Sequence, residues 1–466
     1  MPKPKAISNL QEHPLPPQGR VKVREQPWIL WLWAFGLIAA GCAALSAPFA
    51  ILHWSSLSVP SPPLREFSMG LGFGGLALIA LQFALTGRLR WMTHPFGADI
   101  VYLFHRYMSR IALGLVIGHF LILYIWFEPE LGDLNPLTAR WELTSGRLAM
   151  ACFIGLIISS EFRKRLRLRY EWWRYLHVAL AVTGFAAAIA HVLGVDRYTA
   201  DPGQRALWIG VTISWAALLI WSRALRPWLQ SRNPWQVVSN THSGGGVHTL
   251  ELAPLGKPLK KWKAGQFAWL SIGRSPFALK EHPFTISTAP DHGPNLTFSI
   301  KALGDDTARL IETSPGTIAY VDGPYGGFSV DRKPDAAGFI MIAGGVGITP
   351  IISNLHALAA RNDPRPIILI YTNSDEDSIA FKEELEHLSK ELNLKTILYL
   401  DDPPQGWEGQ SGRVNAESLK AHLPEESRDW PYFLCGPKPM VKVVVKALNG
   451  MGTPARHIDS EVFELV

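Results

Sequence analysis

HRYMSRIALGLVIGHFLILYIWF, residues 105–127, and HVALAVTGFAAAIAHVLG, residues 177–194, decide the reading of this chain. Each is apolar enough to cross a bilayer, and each carries two histidines fourteen residues apart: His105 with His119, and His177 with His191. On an α-helix, fourteen steps of about 100° end roughly 40° short of four full turns, after a rise of about 21 Å. Both members of each pair therefore share a face, and two such helices side by side present facing imidazoles at two levels. Zinc suits such a level poorly, because a structural zinc site takes four ligands. Haem suits it well, because the ring supplies four nitrogens and leaves two axial positions. Polar contacts between helices would account for one such histidine. With 15 histidines in 466 residues, chance repetition of the offset is on the order of one in a thousand. With both axial positions filled, neither iron is open to substrate, so the expected role is electron transfer.

Working outward, the chain up to about residue 225 is dominated by apolar runs near the ~20 residues that span a bilayer, and no later run is that long. Spans are expected at about 28–52, 67–86, 105–127, 147–162, 175–194 and 205–223. Residues 1–27, rich in Pro, Lys and Arg, read as a flexible tail. Lys3, Lys5, Arg20, Lys22 and Arg24 in the tail, Arg88 and Arg90 in the second loop, and Arg163, Lys164, Arg165, Arg167, Arg169 and Arg174 around the fourth predict cytoplasmic termini by the positive-inside rule. In that topology His105 levels with His177 near the cytoplasm and His119 with His191 near the outside. Arg106 and Arg110, beside the inner level, are placed either to meet haem propionates or to snorkel to the surface. The net charge of +6 is explained by this topology, so nucleic acid is not expected as a partner. Cys42, Cys152 and Cys435, in two apolar runs and one loop, support neither a disulfide framework nor a cysteine metal site.

From about 226 to 332 short alternating segments with Gly and Pro turns predict a small antiparallel barrel. From about 333 to 466 apolar runs alternate with helical stretches in the rhythm of a doubly wound parallel sheet. Ala343-Gly344-Gly345-Val346-Gly347-Ile348-Thr349-Pro350 follows a buried strand and opens a helix, where backbone can approach a pyrophosphate and the helix N-terminus offsets its charge. A plain tight turn has the same composition. Cys435-Gly436-Pro437 follows the last expected strand, so two glycine turns could flank one nucleotide. His282-Pro283-Phe284-Thr285-Ile286-Ser287-Thr288 places an aromatic ring and hydroxyls on a strand, which suits a flat, polar-edged ring and equally an ordinary amphipathic strand. Thr307, after Gly304-Asp305-Asp306, offers a hydroxyl either to a phosphate or to its own helix as an N-cap.

The paired histidines on the third and fifth of six spans, then HPFTIST, IKALGDDT, DGPYGGF, AGGVGITP and CGPKPM in this order, resemble the NADPH oxidase and ferric reductase superfamily of transmembrane flavocytochromes. The resemblance runs from about residue 67 to the end. It implies a six-helix membrane domain with two b-type haems, an antiparallel β-barrel FAD domain and an α/β nucleotide domain like that of ferredoxin reductases. His105 and His177 would ligate the inner haem, and His119 and His191 the outer. Phe284, Thr285 and Ser287, with Pro283 between them and His282, would lie by the flavin, and His282, Lys301 and Thr307 near its phosphates. Gly344, Gly345, Gly347, Thr349, Pro350, Gly436 and Pro437 would line NADH or NADPH, with Cys435 at the nicotinamide. Phe463 matches the aromatic residue that covers the flavin and yields to nicotinamide. The catalytic set expected is thus Cys435, Phe463 and Thr285.

No EF-hand loop is present, so calcium control of that kind is not expected. Asp375, Glu376 and Asp377 follow the second strand of the nucleotide domain, where carboxylates would repel a 2′-phosphate and can accept a ribose hydroxyl. NADH is therefore expected to serve at least as well as NADPH. The expected activity is transfer of electrons from cytoplasmic NAD(P)H through FAD and two haems to an outside acceptor. Oxygen is the first choice, a ferric chelate the second, and a periplasmic protein partner the third. Glu128, Glu130 and Asp133 could attract ferric chelates or simply be solvated. Compact loops lean towards a bacterial plasma membrane.

Overall fold

The computed structural model describes residues 61–88, 97–290 and 292–463, with backbone alone for 97–100. It divides into two compact units, one holding the helices through Arg232 together with Arg274–His282, the other holding Asn233–Gly273 and the chain from Pro283 onward.

The helical unit contains α1 (Pro63–Thr86), α2 (Gly97–Trp126), α3 (Trp141–Glu161), α4 (Tyr170–Val195) and α5 (Pro202–Ile220). Beyond α5 a π-helical turn, Trp221–Leu225, leads into α6, Arg226–Ser231. Five helical segments among the described residues are long and apolar enough to cross a bilayer. The expected first span and the basic tail lie outside the described residues. The helices begin several residues before the apolar runs that predicted them. Pro63 and Pro202 sit in the first turns of α1 and α5, where proline's missing N–H is no loss, and Asp201 caps α5 by accepting from the Gln204 N–H at 2.9 Å. The last span also runs past residue 225, to Ser231, because the π turn continues the helix instead of ending it.

Two antiparallel pairs make up this unit, α1 with α2 and α3 with α4. Small residues set the close approach. A Cβ on Gly75 would meet the Ala112 carbonyl at 3.1 Å, and one on Gly184 would meet Cys152 at 2.9 Å. Cys152 is buried in that packing, as its apolar setting implied. Exposed Leu103, Ile111, Leu121 and Ile125 give α2 an apolar outer face, as a bilayer-spanning helix presents.

In the second unit, β1 (Trp235–His242), β2 (Val247–Pro254), β3 (Phe267–Ile272), β4 (His282–Thr285), β5 (Leu296–Lys301) and β6 (Ile318–Tyr325) form an antiparallel sheet in the order β4-β3-β6-β1-β2-β5. A bridge between Ile286 and Phe298 joins its two edges, closing the barrel around Leu250, Leu252, Leu270, Ile286 and Phe298. A short helix α7 (Asp305–Leu310) lies between β5 and β6.

The parallel sheet is built from β7 (Phe339–Gly344), β8 (Ile367–Asn373), β9 (Leu394–Leu400), β10 (Gln410–Ser411), β11 (Tyr432–Gly436) and β12 (Ile458–Val462), ordered β10-β9-β8-β7-β11-β12. Helices α8 (Thr349–Ala359), α9 (Lys382–Glu391), α10 (Ala416–His422) and α11 (Lys438–Gly450) connect the strands. Strand order reverses between β7 and β11, so the crevice at their carboxyl ends is where such a sheet binds ligands. The barrel is stapled to α8: the Ser353 hydroxyl accepts from the Gly265 N–H at 3.0 Å and donates to the Thr288 carbonyl at 3.0 Å. The Asn354 amide accepts from the Val330 N–H at 2.9 Å. Gly265 has φ +77°, and a Cβ there would lie 1.9 Å from the Phe328 carbonyl, so only glycine fits this seam.

Candidate functional sites

In the helical unit the four histidines sort into two levels. The His105 and His177 rings face each other with centroids 6.5 Å apart and planes at 61°. Two imidazoles sharing one metal through Nε2 need two bonds of about 2 Å plus two ring half-widths, roughly 6–6.5 Å between centroids, so this spacing fits. His119 and His191 are neighbours at the second level. His119 Nδ1 lies 2.9 Å from the Ser68 carbonyl, and His191 Nδ1 lies 2.8 Å from the Glu142 carbonyl. A carbonyl only accepts, so both Nδ1 atoms carry the proton and both Nε2 atoms present a lone pair, the arrangement that metal-binding histidines use. His177 Nδ1 is 3.3 Å from the Ser160 hydroxyl, and His105 Nδ1 is buried without a partner among the described residues.

Glycines make the room behind the second level. A Cβ on Gly72 would come within 3.1 Å of the His119 ring, and one on Gly146 within 2.8 Å of His191 Nδ1. Arg106 and Arg110 both bond Glu161 at the end of α3, at 2.9 and 2.5 Å, with side chains that stay exposed, in keeping with the surface alternative. At the opposite end Glu130 pairs with Arg65 at 2.5 Å, and Asp133 accepts from Thr138 and from the Asn135 N–H.

In the crevice of the parallel sheet, Gly344 and Gly347 press against Cys435, Gly436 and Pro437. A Cβ on Gly347 would sit 2.4 Å from the Cys435 carbonyl, and one on Gly344 would sit 2.9 Å from Pro437 Cδ. Gly345, at φ +53°, turns the chain between them. Thr349 is buried and its hydroxyl donates to the Val346 carbonyl at 2.8 Å, locking the turn to the start of α8, where Pro350 follows. Cys435 is not in a loop, as its flanking glycine suggested, but inside β11 and fully buried. Burial, with Glu461 alongside, pushes its thiol well above the usual range, so it stays neutral at physiological pH. We expect iodoacetamide at pH 8 to leave Cys435 unlabelled in the native protein and to label it on unfolding, read by peptide mass; labelling of the native protein at the rate of an exposed thiol would contradict the burial.

The sequence reading missed β12, which pairs in parallel with β11 and sets Glu461 opposite Cys435. Its signal was weak, because Ile458-Asp459-Ser460-Glu461-Val462 has only two apolar residues at its ends. Glu461 Oε1 also comes within 3.6 Å of a Cβ built on Gly326, in the DGPYGGF loop. Phe463 follows directly, with its N–H directed at the Gly436 carbonyl at 3.4 Å and its ring exposed at the rim.

On the barrel, Phe284 is half-buried with one side on the barrel core, while Thr285 and Ser287 are buried. The Ser287 hydroxyl begins a run of hydroxyls: Ser299 at 2.9 Å, then Thr249 at 3.0 Å, then Ser243 at 2.7 Å. His282 and Pro283 are half-buried at the start of β4. Lys301 lies near Gly246 and within electrostatic range of Asp375. Thr307 is not the N-cap of α7 but its third residue: Gly304 is the cap, and the Thr307 hydroxyl oxygen reaches back to accept from the Leu303 and Gly304 N–H groups at 2.9 and 3.0 Å. The Asp375 carboxylate accepts from the Ser374 hydroxyl and from the Ser378 N–H, both at 2.8 Å, and these bonds hold its pKa below the usual range.

Three family models match the chain in succession: the ferric reductase like transmembrane component over residues 71–193, an FAD-binding domain over 249–329, and an oxidoreductase NAD-binding domain over 341–446. The NADH-cytochrome b5 reductase 1 of Aspergillus terreus is 40% identical over 172 residues, 34% of this chain and 57% of that protein. Its counterpart from Neosartorya fischeri is 39% identical over 172 residues, again 34% of this chain and 55% of that protein. This chain thus spans little more than half the length of these relatives. Among solved structures, the flavohemoglobin from Malassezia yamatoensis aligns with a TM-score of 0.47 at 19% identity, covering 77% of this chain and 98% of that one. The FAD/NAD-binding domain of nitric oxide dioxygenase from Vibrio cholerae aligns at 0.44 and 22%, covering 50% and 98%.

Proposed function

We propose that this membrane oxidoreductase, which carries the three-part architecture of the NADPH oxidase and ferric reductase superfamily, conducts electrons from NAD(P)H through FAD and two haems to an acceptor across the membrane. The observation that carries the reading is the pair of Nδ1 contacts to the Ser68 and Glu142 carbonyls, which leave the Nε2 atoms of His119 and His191 free at one level. His105 and His177 would hold the other haem. Among the described residues no three His, Cys, Asp or Glu side chains converge on a metal position, so a metal held here brings its remaining ligands, as haem iron does. When bound, FAD accepts a hydride and releases electrons singly, and haem passes them one at a time. The chain's own part is to orient the imidazoles, to seat the nucleotide against Gly344, Gly347 and Cys435, and to exclude water at the buried Cys435 end of β11. The basic end of the helical unit faces the cytoplasm in this reading, with NAD(P)H on that side.

Oxygen, giving superoxide, is the acceptor the outer end supports best. Glu130 and Asp133 are engaged in the fold, which weakens a ferric-chelate clamp built on them, and a diffusing gas needs none. The test is anaerobic reduction of the FAD-supplemented protein by NADH, followed by air with superoxide detection, and in parallel by a ferric chelate under nitrogen. Reduced b-type haem bands that reoxidise in air with stoichiometric superoxide support the oxidase. Bands stable in air but bleached by the chelate make it a metal reductase instead.

The nucleotide is expected to be NADH at least as readily as NADPH, a reading the NADH-cytochrome b5 reductase relatives support. The ionised Asp375 would face a 2′-phosphate, and Lys382, the nearest cation after it in sequence, is paired with Glu376 at 2.9 Å. The kcat/KM for NADPH should not exceed that for NADH by more than about tenfold, roughly 1.4 kcal/mol. Asp375→Asn should raise the NADPH value several-fold and leave NADH little changed; no gain for NADPH would remove Asp375 from the explanation.

A further inference from the structure

The hairpin that joins β1 to β2 runs through Gly244-Gly245-Gly246, at φ +79°, +59° and +67°. Left-handed backbone at successive positions suits glycine alone and costs the chain conformational entropy on folding. The commonest hairpin turns need at most two such positions. The loop closes on itself, with the Val247 N–H on the Gly244 carbonyl and the Ser243 N–H on the Val247 carbonyl, both at 2.8 Å. The Ser243 hydroxyl, at the end of the barrel's run of hydroxyls, lies 2.7 Å from that of Thr249. The hairpin is thus a fixed part of the barrel.

Its edge meets the nucleotide domain between β8 and α9. Gly244 forms an antiparallel bridge with Ala380, and the Phe381 N–H donates to the Ser243 carbonyl at 2.8 Å. Ile379, Ala380 and Phe381 are buried there, and the Ala380 N–H donates to the Tyr371 hydroxyl at 3.2 Å. The approach is closest one step upstream. A Cβ on Gly245 would lie 2.5 Å from the Ser378 carbonyl and 2.9 Å from the Ala380 nitrogen, and one on Gly244 would lie 2.9 Å from the Ile379 carbonyl. A Cβ on Gly246 would meet Lys301 Cε at 4.0 Å and no backbone.

Ser378 is the residue that holds Asp375. Its N–H donates to the Asp375 carboxylate at 2.8 Å, its hydroxyl donates to the Asp375 carbonyl at 2.7 Å, and the Asp375 N–H reaches that hydroxyl at 3.2 Å. Residues 374–377 are exposed, so the packed end of this turn is Ser378, where the barrel touches it. Repulsion rejects a wrong ligand only while the charge stays where that ligand would sit.

We propose that the barrel's glycine hairpin is a positioning element for nucleotide choice: Gly244 and Gly245 seat Ser378, Ser378 sets Asp375, and the carboxylate disfavours a 2′-phosphate. This rests on the reading of Asp375 given above and adds that the barrel takes part in selecting the nucleotide.

The test measures kcat and KM for NADH and NADPH oxidation by the full-length, FAD-supplemented protein in Gly245→Ala, Gly246→Ala, Asp375→Asn and the Gly245→Ala/Asp375→Asn double variant. Both alanines meet left-handed strain, and only the one at position 245 pushes on Ser378. We expect Gly245→Ala to raise the NADPH-to-NADH ratio of kcat/KM at least fivefold, through KM with kcat within twofold, and Gly246→Ala to leave the ratio within twofold. In the double variant Gly245→Ala should add less than twofold to the effect of Asp375→Asn, because the carboxylate it displaces is gone. Gly244→Ala, a milder intrusion, should move the ratio the same way by at least twofold and keeps the test open if Gly245→Ala does not fold. An unchanged ratio in Gly244→Ala and Gly245→Ala, with a shift in Asp375→Asn, overturns the proposal and leaves the reading of Asp375 standing. Equal shifts in Gly245→Ala and Gly246→Ala also overturn it, as strain in the hairpin alone. If Asp375→Asn leaves the ratio unchanged too, the reading of Asp375 fails and this proposal with it.

Discussion

Replacing His191 with alanine should stop electron delivery across the membrane by at least about a thousandfold, the equivalent of roughly 4 kcal/mol, while flavin reduction by NADH stays within about twofold of the wild type. The reason is positional. His191 belongs to the level whose Nδ1 atoms are anchored on backbone carbonyls, and it lies in a different compact unit from the nucleotide crevice. Haem content per chain gives a second readout and should fall by one of two. A milder route to the same result is Gly146→Val, because even a Cβ at that position meets His191 Nδ1 at 2.8 Å. It should shift or broaden one set of haem bands without touching flavin reduction. If transmembrane turnover survived in His191→Ala, the relay as drawn would be wrong.

The second large effect is expected at Gly347. Its Cβ would lie 2.4 Å from the Cys435 carbonyl and 2.9 Å from the Gly436 N–H nitrogen, and both neighbours are backbone of a buried strand that cannot swing aside. Gly347→Ala must therefore separate the glycine turn from β11 and reshape the crevice at the sheet's switch point. Flavin reduction by NADH should fall at least about a hundredfold, or roughly 2.7 kcal/mol, with a stability loss of about 1–3 kcal/mol from overpacking visible in thermal unfolding. The haem bands of the dithionite-reduced protein should be unchanged, since the histidines lie in the other unit. A variant that still reduces flavin within tenfold of the wild type would show that this close approach does not shape the nucleotide site.

Much of this was legible before any coordinates. Helical periodicity put each helix's two histidines on one face, and the basic loops set the helix directions that level His105 with His177 and His119 with His191. The rings of the first pair do meet, and the second pair are neighbours. The barrel and the parallel sheet were likewise written in alternation and in β-α rhythm. Positions decided by distant neighbours were harder. Thr307 was weighed as a phosphate contact and Asp375 as a ribose contact, and each also bonds its own turn. Phe284 was read as a flavin contact, and in the fold one side of it rests on the barrel core. Arg106 and Arg110 were weighed between propionates and solvent, and the partner they found, Glu161, lies 55 and 51 residues away.

The sequence by itself determined five of the long apolar helices, which face of two of them carries imidazoles, and where glycine turns end strands, because those properties depend on residues within one or two turns of each other. Only the tertiary structure decided which carbonyls fix the tautomers of His119 and His191, which glycines leave room behind the rings, that Glu461 stands opposite Cys435, and that Arg88 and Arg174 share Glu281. Each of those depends on packing between elements far apart in the chain, and no local pattern encodes the register at which two packed surfaces meet.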